Sequence, residues 1–397
     1  MRGGHAAGHA PAMPSPVLIL TAGFGEGHNA AARALAAGCD DLQGPGTARV
    51  ADVFALSSPR LNDVSRRAYL GIINRLPRVW SRAYAYMDRS KLLPRTFTWM
   101  GGSLRQLARI VREEEPRVIC STYPVYAFLV ERLRREGRIA VPHFNVVTDS
   151  ISINSLWWRA DCAGWFLPNE DTAQVLRQAG LDPARLRVHG FPVNLDFDRP
   201  AGEFDPPDLA AGARPRVLMV VNSGSRHAAA TAHRLLAEED WDITCAVGRD
   251  HRLRGALQAA AAARRHPARI LGWTDEIPRL LMTHHAVISK AGGATTQEAI
   301  AARGPMIVSQ IVPGQEEGNY ELLRRHGVGA LGETPAAAIG ALRAAFANGG
   351  AVWRDWRAAV APLSRPDAAR VLAAQLLAAA GLARPPPHPA ALAAAQP

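Results

Sequence analysis

The stretch PVLILTAGFGEGHNAAARAL, Pro16 to Leu35, decides the fold. Val17 to Leu20 form a short apolar run of the kind a buried strand needs, and NAAARALAAG from Asn29 reads as a helix. Between them Gly23, Gly25 and Gly27 let the backbone turn sharply and approach a ligand. Working outward, apolar runs bounded by turn residues keep alternating with helical patterns: ARVADVF, RVICS, HFNVV and GWFLP, then RVLMVV, DITCAV, ARILGW, AVISK and PMIVSQ. Such alternation predicts parallel α/β sheets covered by helices. NLDFDRPAGEFDPPDLAAGARP, polar and rich in proline and glycine, interrupts it and reads as a linker. The expectation is therefore a leader over 1–16, an N-terminal domain over 17–199, a linker over 200–214, a C-terminal domain over 215–381 and a tail over 382–397. In two open sheets of this kind, ligands sit beyond the carboxyl ends of the strands.

The chain has 397 residues, enough for two cores. No apolar run approaches the roughly 20 residues of a spanning helix, and the N-terminus lacks the apolar centre of a secretory signal, so a cytoplasmic chain is expected. Cys39, Cys120, Cys162 and Cys245 stand far apart without metal-ligand spacing and read as reduced core thiols. The net charge of +11 calls for an anionic partner. Nucleic acid is not expected, because neither a stacking sheet nor a groove-reading helix is apparent. Lys91 and Lys290 are the lysines in a chain that otherwise uses arginine, which draws attention to the loop that carries Lys290.

Four loops can carry chemistry. In the first, the glycines resemble a dinucleotide fingerprint, with Asp52 as its acidic partner, but the third glycine arrives one place early and His28 follows it. A helix N-terminus disfavours imidazolium, which suits His28 to accept a proton; a simple helix cap is the alternative. The second, ISKAGGATTQEAIAARGPMIV, ends a strand at Ser289 and opens a helix at Gly292 and Gly293, whose free N–H groups suit phosphate beside Lys290. Glu298, one turn on, can take both hydroxyls of a ribose. The third, IVPGQEEGNYELL, gathers Gln315, Glu316 and Asn319 for sugar hydroxyls. The fourth, VVNSGSRHAAA, sets Ser223 and Gly224 where they can close over a pyrophosphate.

AGFGEGHNAAARAL together with SKAGGATTQEAIAARGPMIVSQIVPGQEEGN resembles the monogalactosyldiacylglycerol synthase and diacylglycerol glucosyltransferase family, related to the peptidoglycan lipid II synthase. The resemblance runs from Val17 to Val328 and implies an inverting glycosyltransferase of the two-domain GT-B fold, with a C-terminal helix packing back on the N-terminal domain. It implies UDP-galactose or UDP-glucose as donor, diacylglycerol as acceptor and no permanently bound cofactor. Carried over residue by residue, Lys290, Gly292, Gly293 and Thr295 hold the diphosphate, Glu298 the ribose, and Gln315, Glu316 and Asn319 the hexose. LGWTDEIPRLL resembles the segment around the uracil, which points to Trp273 and Thr274. His28, assisted by Asp149, stands beside the acceptor, with Gly25 and Gly27 in the same loop. VVTDSISINSLWWRADCAGWF matches the acceptor region at Asp149 and Trp157, but Asn154 and Ser155 replace its histidine and proline.

An acceptor within a bilayer requires attachment to its surface, on the cytoplasmic side. The stretch RRAYLGIINRLPRVWSRAYAYMDRSKLLPRTFTWM offers arginines with Tyr69, Trp80, Tyr84, Tyr86, Trp99 and Met100, a composition suited to anionic membrane lipids at about 1 kcal/mol per cation. Ordinary amphipathic helices are the alternative. Asp196-Phe197-Asp198 has the spelling of a metal-binding pair but opens the linker, so no metal is expected. Two other functions stay open: a transferase with a different lipid or small-molecule acceptor, and a UDP-sugar epimerase of the same fold.

Overall fold

The computed structural model describes residues 15–90, 100–200, 202–221, 227–314 and 316–382. Ser223, Gly224, Gln315, Lys91, Trp99 and most of the expected leader and tail lie outside these residues.

In the first half, β1 (Val17–Leu20), β2 (Ala48–Ala51), β3 (Val118–Ser121), β4 (His143–Val146), β5 (Gly164–Leu167) and β6 (Leu186–Val188) form one parallel sheet in the order β2-β1-β3-β4-β5-β6. Its helices are α1 (Glu26–Gln43), α2 (Val53–Ser57), α3 (Pro59–Arg75), α4 (Pro77–Arg89), α5 (Gly101–Glu114), α6 (Val125–Arg135) and α7 (Glu170–Gln178). The apolar run of β1 is continuous because both of its faces are covered. Leu18 and Leu20 pack with Leu104, Leu107, Leu129 and Leu133, whereas Val17 and Ile19 pack with Leu35 and the C-terminal Leu372 and Leu376.

The second half repeats the scheme with β7 (Arg216–Val220), β8 (Asp242–Ala246), β9 (Arg269–Leu271), β10 (Ala286–Lys290), β11 (Met306–Gln310) and β12 (Ala330–Leu331), ordered β12-β11-β10-β7-β8-β9 and parallel throughout. Around it lie α8 (Ala228–Leu236), α9 (His251–Ala262), α10 (Ile277–Thr283), α11 (Gly293–Ala301), α12 (Glu317–Arg325) and α13 (Pro335–Val360), the last broken by non-helical backbone from Ala347 to Gly350. Strand order reverses between β1 and β3 in one sheet and between β7 and β10 in the other. The glycine loops that follow β1 and β10 stand at these switch points, where open sheets bind ligands.

The final helix, α14 (Ala368–Ala379), returns to the first sheet and packs on α1. The approach is close: a Cβ on Gly38 would lie 2.7 Å from the carbonyl oxygen of Ala369. Arg370 binds Asp41 and Asp198, and Arg187 donates to Gln375 at 2.8 Å. The Asp196-x-Asp198 pair is thus engaged by arginines, since Asp196 pairs with Arg199. All four cysteines are buried thiols; burial pushes Cys39, Cys162 and Cys245 up to about 12 and Cys120 well above its ordinary value.

Two strands escape the sequence patterns. β12 has two residues, and β6 alternates with arginine, so neither makes an apolar run. Conversely ARVADVF stops being a strand at Ala51, because Asp52 caps α2 by accepting from the Ala55 N–H.

Candidate active site

The loop after β1 is braced before it reaches α1. Asp52 accepts the Gly23 N–H at 3.0 Å, and the Thr21 hydroxyl donates to Asn29 Oδ1 at 2.9 Å. Asp52 therefore serves the loop itself, which removes the acidic partner a dinucleotide reading requires. α1 begins at Glu26, so His28 sits in its first turn and is 8% exposed. Its Nδ1 lies 2.7 Å from the Thr122 carbonyl oxygen and 3.0 Å from Thr148 Oγ1. A carbonyl only accepts, so the proton is on Nδ1, and the neutral ring keeps its lone pair on Nε2. No group among the described residues hydrogen-bonds Nε2.

Burial holds the His28 pKa below its ordinary value, opposed by the charge of Asp149 and the Thr122 bond. Asp149 is pushed up by burial and held back by His28 and by the Trp157 indole N–H, which donates to it at 3.2 Å. The helix N-terminus was the expected cause of a neutral ring; in the structure the largest cause is desolvation by burial.

Across the cleft, β10 ends in a bulge between Ser289 and Lys290, and α11 starts at Gly293 without a side-chain cap. Its first N–H groups face a cavity of about 320 Å³ lined by Gly25, Gly27, His28, Asp149, Lys290, Gly292, Gly293, Thr295, Glu316 and Asn319. Lys290 Nζ donates to Glu316 Oε1 at 2.6 Å, and Glu316 Oε2 accepts the Val312 N–H. Glu316, expected to meet the hexose, thus orients the lysine and ties it to the loop after β11. Asn319 Nδ2 donates to the Ala291 carbonyl at 3.0 Å, while its Oδ1 is buried without a partner. A substrate hydroxyl is the kind of donor that such an acceptor lacks.

The two halves meet around this cavity through backbone. A Cβ on Gly293 would lie 3.0 Å from the Thr148 carbonyl oxygen, one on Gly27 3.5 Å from the Ala294 nitrogen, and one on Gly318 1.8 Å from the Ser150 carbonyl oxygen. Gln297 also crosses, donating to Ser150 Oγ at 3.0 Å.

Several expected residues lie elsewhere. Glu298 lines a separate cavity of about 270 Å³ with Arg33, Pro192 and Asn194, and burial lifts its pKa to about 7. Trp273 is 68% exposed beneath the Arg249 guanidinium, 4.8 Å from the ring centroid, and the Thr274 hydroxyl accepts the Glu276 N–H. Trp80 and Tyr84, read as turned to a membrane, point inward. Trp80 packs edge-on against Tyr69 at 5.0 Å, and Tyr84 lies against Gly314 and beneath Asn154. Asn154 and Ser155 are structural: Asn154 accepts the Leu156 N–H, and Ser155 fastens the end of α4 through Asp88. Trp157 is buried and orients Asp149. The sequence reading missed Phe24 and Thr148 and assigned Arg66 and Tyr69 to a membrane face, yet all four line the cleft. Arg66 and Tyr69 share one face of α3, a spacing without meaning until α3 is known to fold over the glycine loop, whereas Phe24 lies in that loop and Thr148 just after β4.

Two parallel six-stranded sheets whose switch points open on one cavity constitute a GT-B fold, the framework of nucleotide-sugar glycosyltransferases. The solved structure of Acinetobacter baumannii MurG shares it, with a TM-score of 0.57 at 14% identity over 92% of this chain and 100% of that one. So does a Neisseria meningitidis UDP-GlcNAc 2-epimerase bound to UDP-GlcNAc, with a TM-score of 0.55 at 14% identity over 91% and 99%. The family model for monogalactosyldiacylglycerol (MGDG) synthase matches residues 28–193. The processive diacylglycerol beta-glucosyltransferase of Bacillus subtilis is 26% identical over 317 residues, which are 78% of this chain and 81% of the relative. That of Bacillus licheniformis is 25% identical over 309 residues, 76% and 79%. By these matches the chain resembles the monogalactosyldiacylglycerol synthase and diacylglycerol glucosyltransferase family.

Proposed function

We propose that this protein transfers galactose or glucose from the UDP-sugar to diacylglycerol, with inversion at the anomeric carbon, at the cytoplasmic face of a membrane. The observation that carries the reading is one cavity with two chemistries on opposite walls. On one wall stands a buried imidazole whose Nε2 lone pair is unengaged; on the other stands an uncapped helix N-terminus beside Lys290. The acceptor hydroxyl attacks C1 while His28 Nε2 takes its proton. The bond from C1 to the diphosphate breaks, and UDP leaves with its charge offset by Lys290 and the N–H groups of α11. Asp149 stabilises the imidazolium that forms. Asn319 Oδ1 and Gln315 address the hexose, Ser223 and Gly224 the diphosphate, and Trp273 and Thr274 the uracil. Epimerisation of the UDP-sugar is the weaker reading, because the relatives aligned over most of the chain are transferases.

Attachment to anionic lipid is assigned to the outer face of α3 and α4. Leu61, Val64, Leu76, Val79 and Tyr86 are exposed there among Arg60, Arg67, Arg82 and Arg89. This replaces Trp80 and Tyr84 as the contact. No helix among the described residues is long and apolar enough to cross a membrane. The test is a panel of UDP-sugars with diacylglycerol in anionic vesicles, the products resolved by mass and anomeric configuration. A product that keeps the donor's α configuration, or UDP-sugar consumed without acceptor, overturns the reading.

Glu298 is assigned to the ribose from the second cavity. Glu298→Ala is expected to raise the donor KM with little change in kcat, because ribose binding is nearly equal in ground and transition states. An unchanged KM removes Glu298 from the nucleoside site. Stability gives an independent check. A carboxyl whose folded pKa is raised to about 7 contributes stability below its unfolded pKa that is lost as pH rises through 7. Glu298→Gln is therefore expected to melt above the wild type at pH 8 and level with it at pH 5 in calorimetry.

A further inference from the structure

Behind the glycine loop lies a second, mostly apolar cavity of about 390 Å³ that the transfer step does not use. Phe24, Phe54, Leu61, Met100, Gly102 and Tyr123 are among its walls. Phe24 also lines the cleft, so a single ring forms the partition between the two cavities. That ring stacks on Tyr123 at 5.9 Å and meets Phe54 and Tyr69 edge-on at 6.4 and 5.8 Å. Tyr123 in turn stands edge-on to His28 at 5.1 Å. Through Tyr123 the cavity therefore ends one ring from the imidazole.

At its other end the rim is apolar and open. Leu61 is 67% exposed and Met100 37%, and Val64, on the same helix as Leu61, is 62% exposed. These residues continue into the outward apolar face of α3 and α4. The hydroxyls of Ser57 and Ser103 in the lining hydrogen-bond each other at 3.1 Å, so they ask little of an occupant. An apolar chamber of this volume, entered from an apolar surface and closing on a catalytic cavity, suits a hydrocarbon chain attached to a reacting hydroxyl.

We infer that this chamber holds one acyl chain of the glycerolipid acceptor, entering between Leu61 and Met100 and leaving the glycerol hydroxyl beyond Phe24 beside His28. The inference rests on the proposed lipid acceptor and adds where its chain lies. It makes the partition at Phe24 the boundary between chain and headgroup. Recognition of the acceptor then depends on chain burial as much as on polar contacts in the cleft, which agrees with Asn154 and Ser155 being committed to the fold.

Gly102 provides the test. Gly102 lines the chamber and a Cβ there meets no atom within 4 Å, so a side chain can be added at that point of the wall. The full-length protein is titrated with cis-parinaric acid, which fluoresces on entering an apolar site. Wild type is expected to bind it saturably and to release it to dioctanoylglycerol. Gly102→Phe is expected to weaken both ligands by about tenfold or more, equivalent to about 1.4 kcal/mol, and to raise the dioctanoylglycerol KM while the donor KM stays constant. Gly102→Leu should fall between, and unchanged UDP affinity certifies the fold of each variant. Parinaric acid that does not saturate, or that is not displaced by dioctanoylglycerol, overturns the inference. So does sugar transfer by a Gly102→Phe enzyme whose acceptor KM and probe affinity are those of wild type; transfer itself then still stands. Saturable, displaceable binding without any transfer sustains the chamber and sinks the transferase reading instead.

Discussion

His28→Ala is expected to lower kcat/KM for hexosyl transfer by about 10²- to 10⁴-fold, the usual contribution of a positioned general base. The residue is held for that role from one side only. The Thr122 carbonyl and Thr148 hydroxyl engage Nδ1, and the opposite nitrogen meets the cavity that Lys290 and α11 also line. Imidazole added to the variant is expected to restore part of the rate, which a purely structural histidine would not allow. The wild-type pH profile carries a second signature. A base acts when neutral, and burial sets the His28 pKa below 6.5, so activity should persist as pH falls through 6.5 and decline only below it. Asp149 raises that pKa, so Asp149→Asn should move the acid limb lower still. Turnover of His28→Ala within a few-fold of wild type would remove His28 from the chemistry.

Gly318→Ala is expected to cost about 1–3 kcal/mol, the range for overpacking, or to force the two halves apart. Its Cβ would fall 1.8 Å from the Ser150 carbonyl oxygen and 2.4 Å from the Ser152 nitrogen, backbone atoms that cannot rotate away. The collision lies between α12 and the segment joining Asp149 to Trp157, so relief by opening would carry Asn319 away from Asp149. A lower melting temperature together with a lower kcat is the expected pair of results. Gly340→Ala is the control: it lies in α13, its Cβ meets nothing within 4 Å, and it should stabilise by about 0.5–1 kcal/mol through helix propensity. A Gly318→Ala protein as stable and active as wild type would show that the halves are not seated on each other at this point.

Most of the fold was legible because parallel strands covered on both faces must be written as short continuous apolar runs, and their helices as a change of period. VLIL, RVICS and AVISK need no tertiary information to be strands. Two of the four edge strands were not legible, since β12 at two residues and β6 with its arginine carry no such run. The glycine loops announced both walls of the cleft for a similar reason: close approach of backbone leaves little room for a side chain, as at Gly293, where a Cβ would lie 3.0 Å from the Thr148 carbonyl oxygen.

What the sequence by itself determined is the pair of α/β sheets, the placement of two glycine loops at strand ends, and the residue types that chemistry between them requires. Orientation was decided by tertiary structure alone. Trp80 and Tyr84 turned inward because Tyr69 and Gly314 give them apolar contacts, Glu316 found Lys290, and Glu298 fell on the far side of α11. A helix presents every face, and composition cannot say which one a neighbour 26 or 70 residues away will cover. The same packing supplied the opening loop with its meaning. Its glycines let Gly27 reach Ala294, and its histidine is neutral because the fold buries it, while the bond to Thr122 keeps the proton on Nδ1.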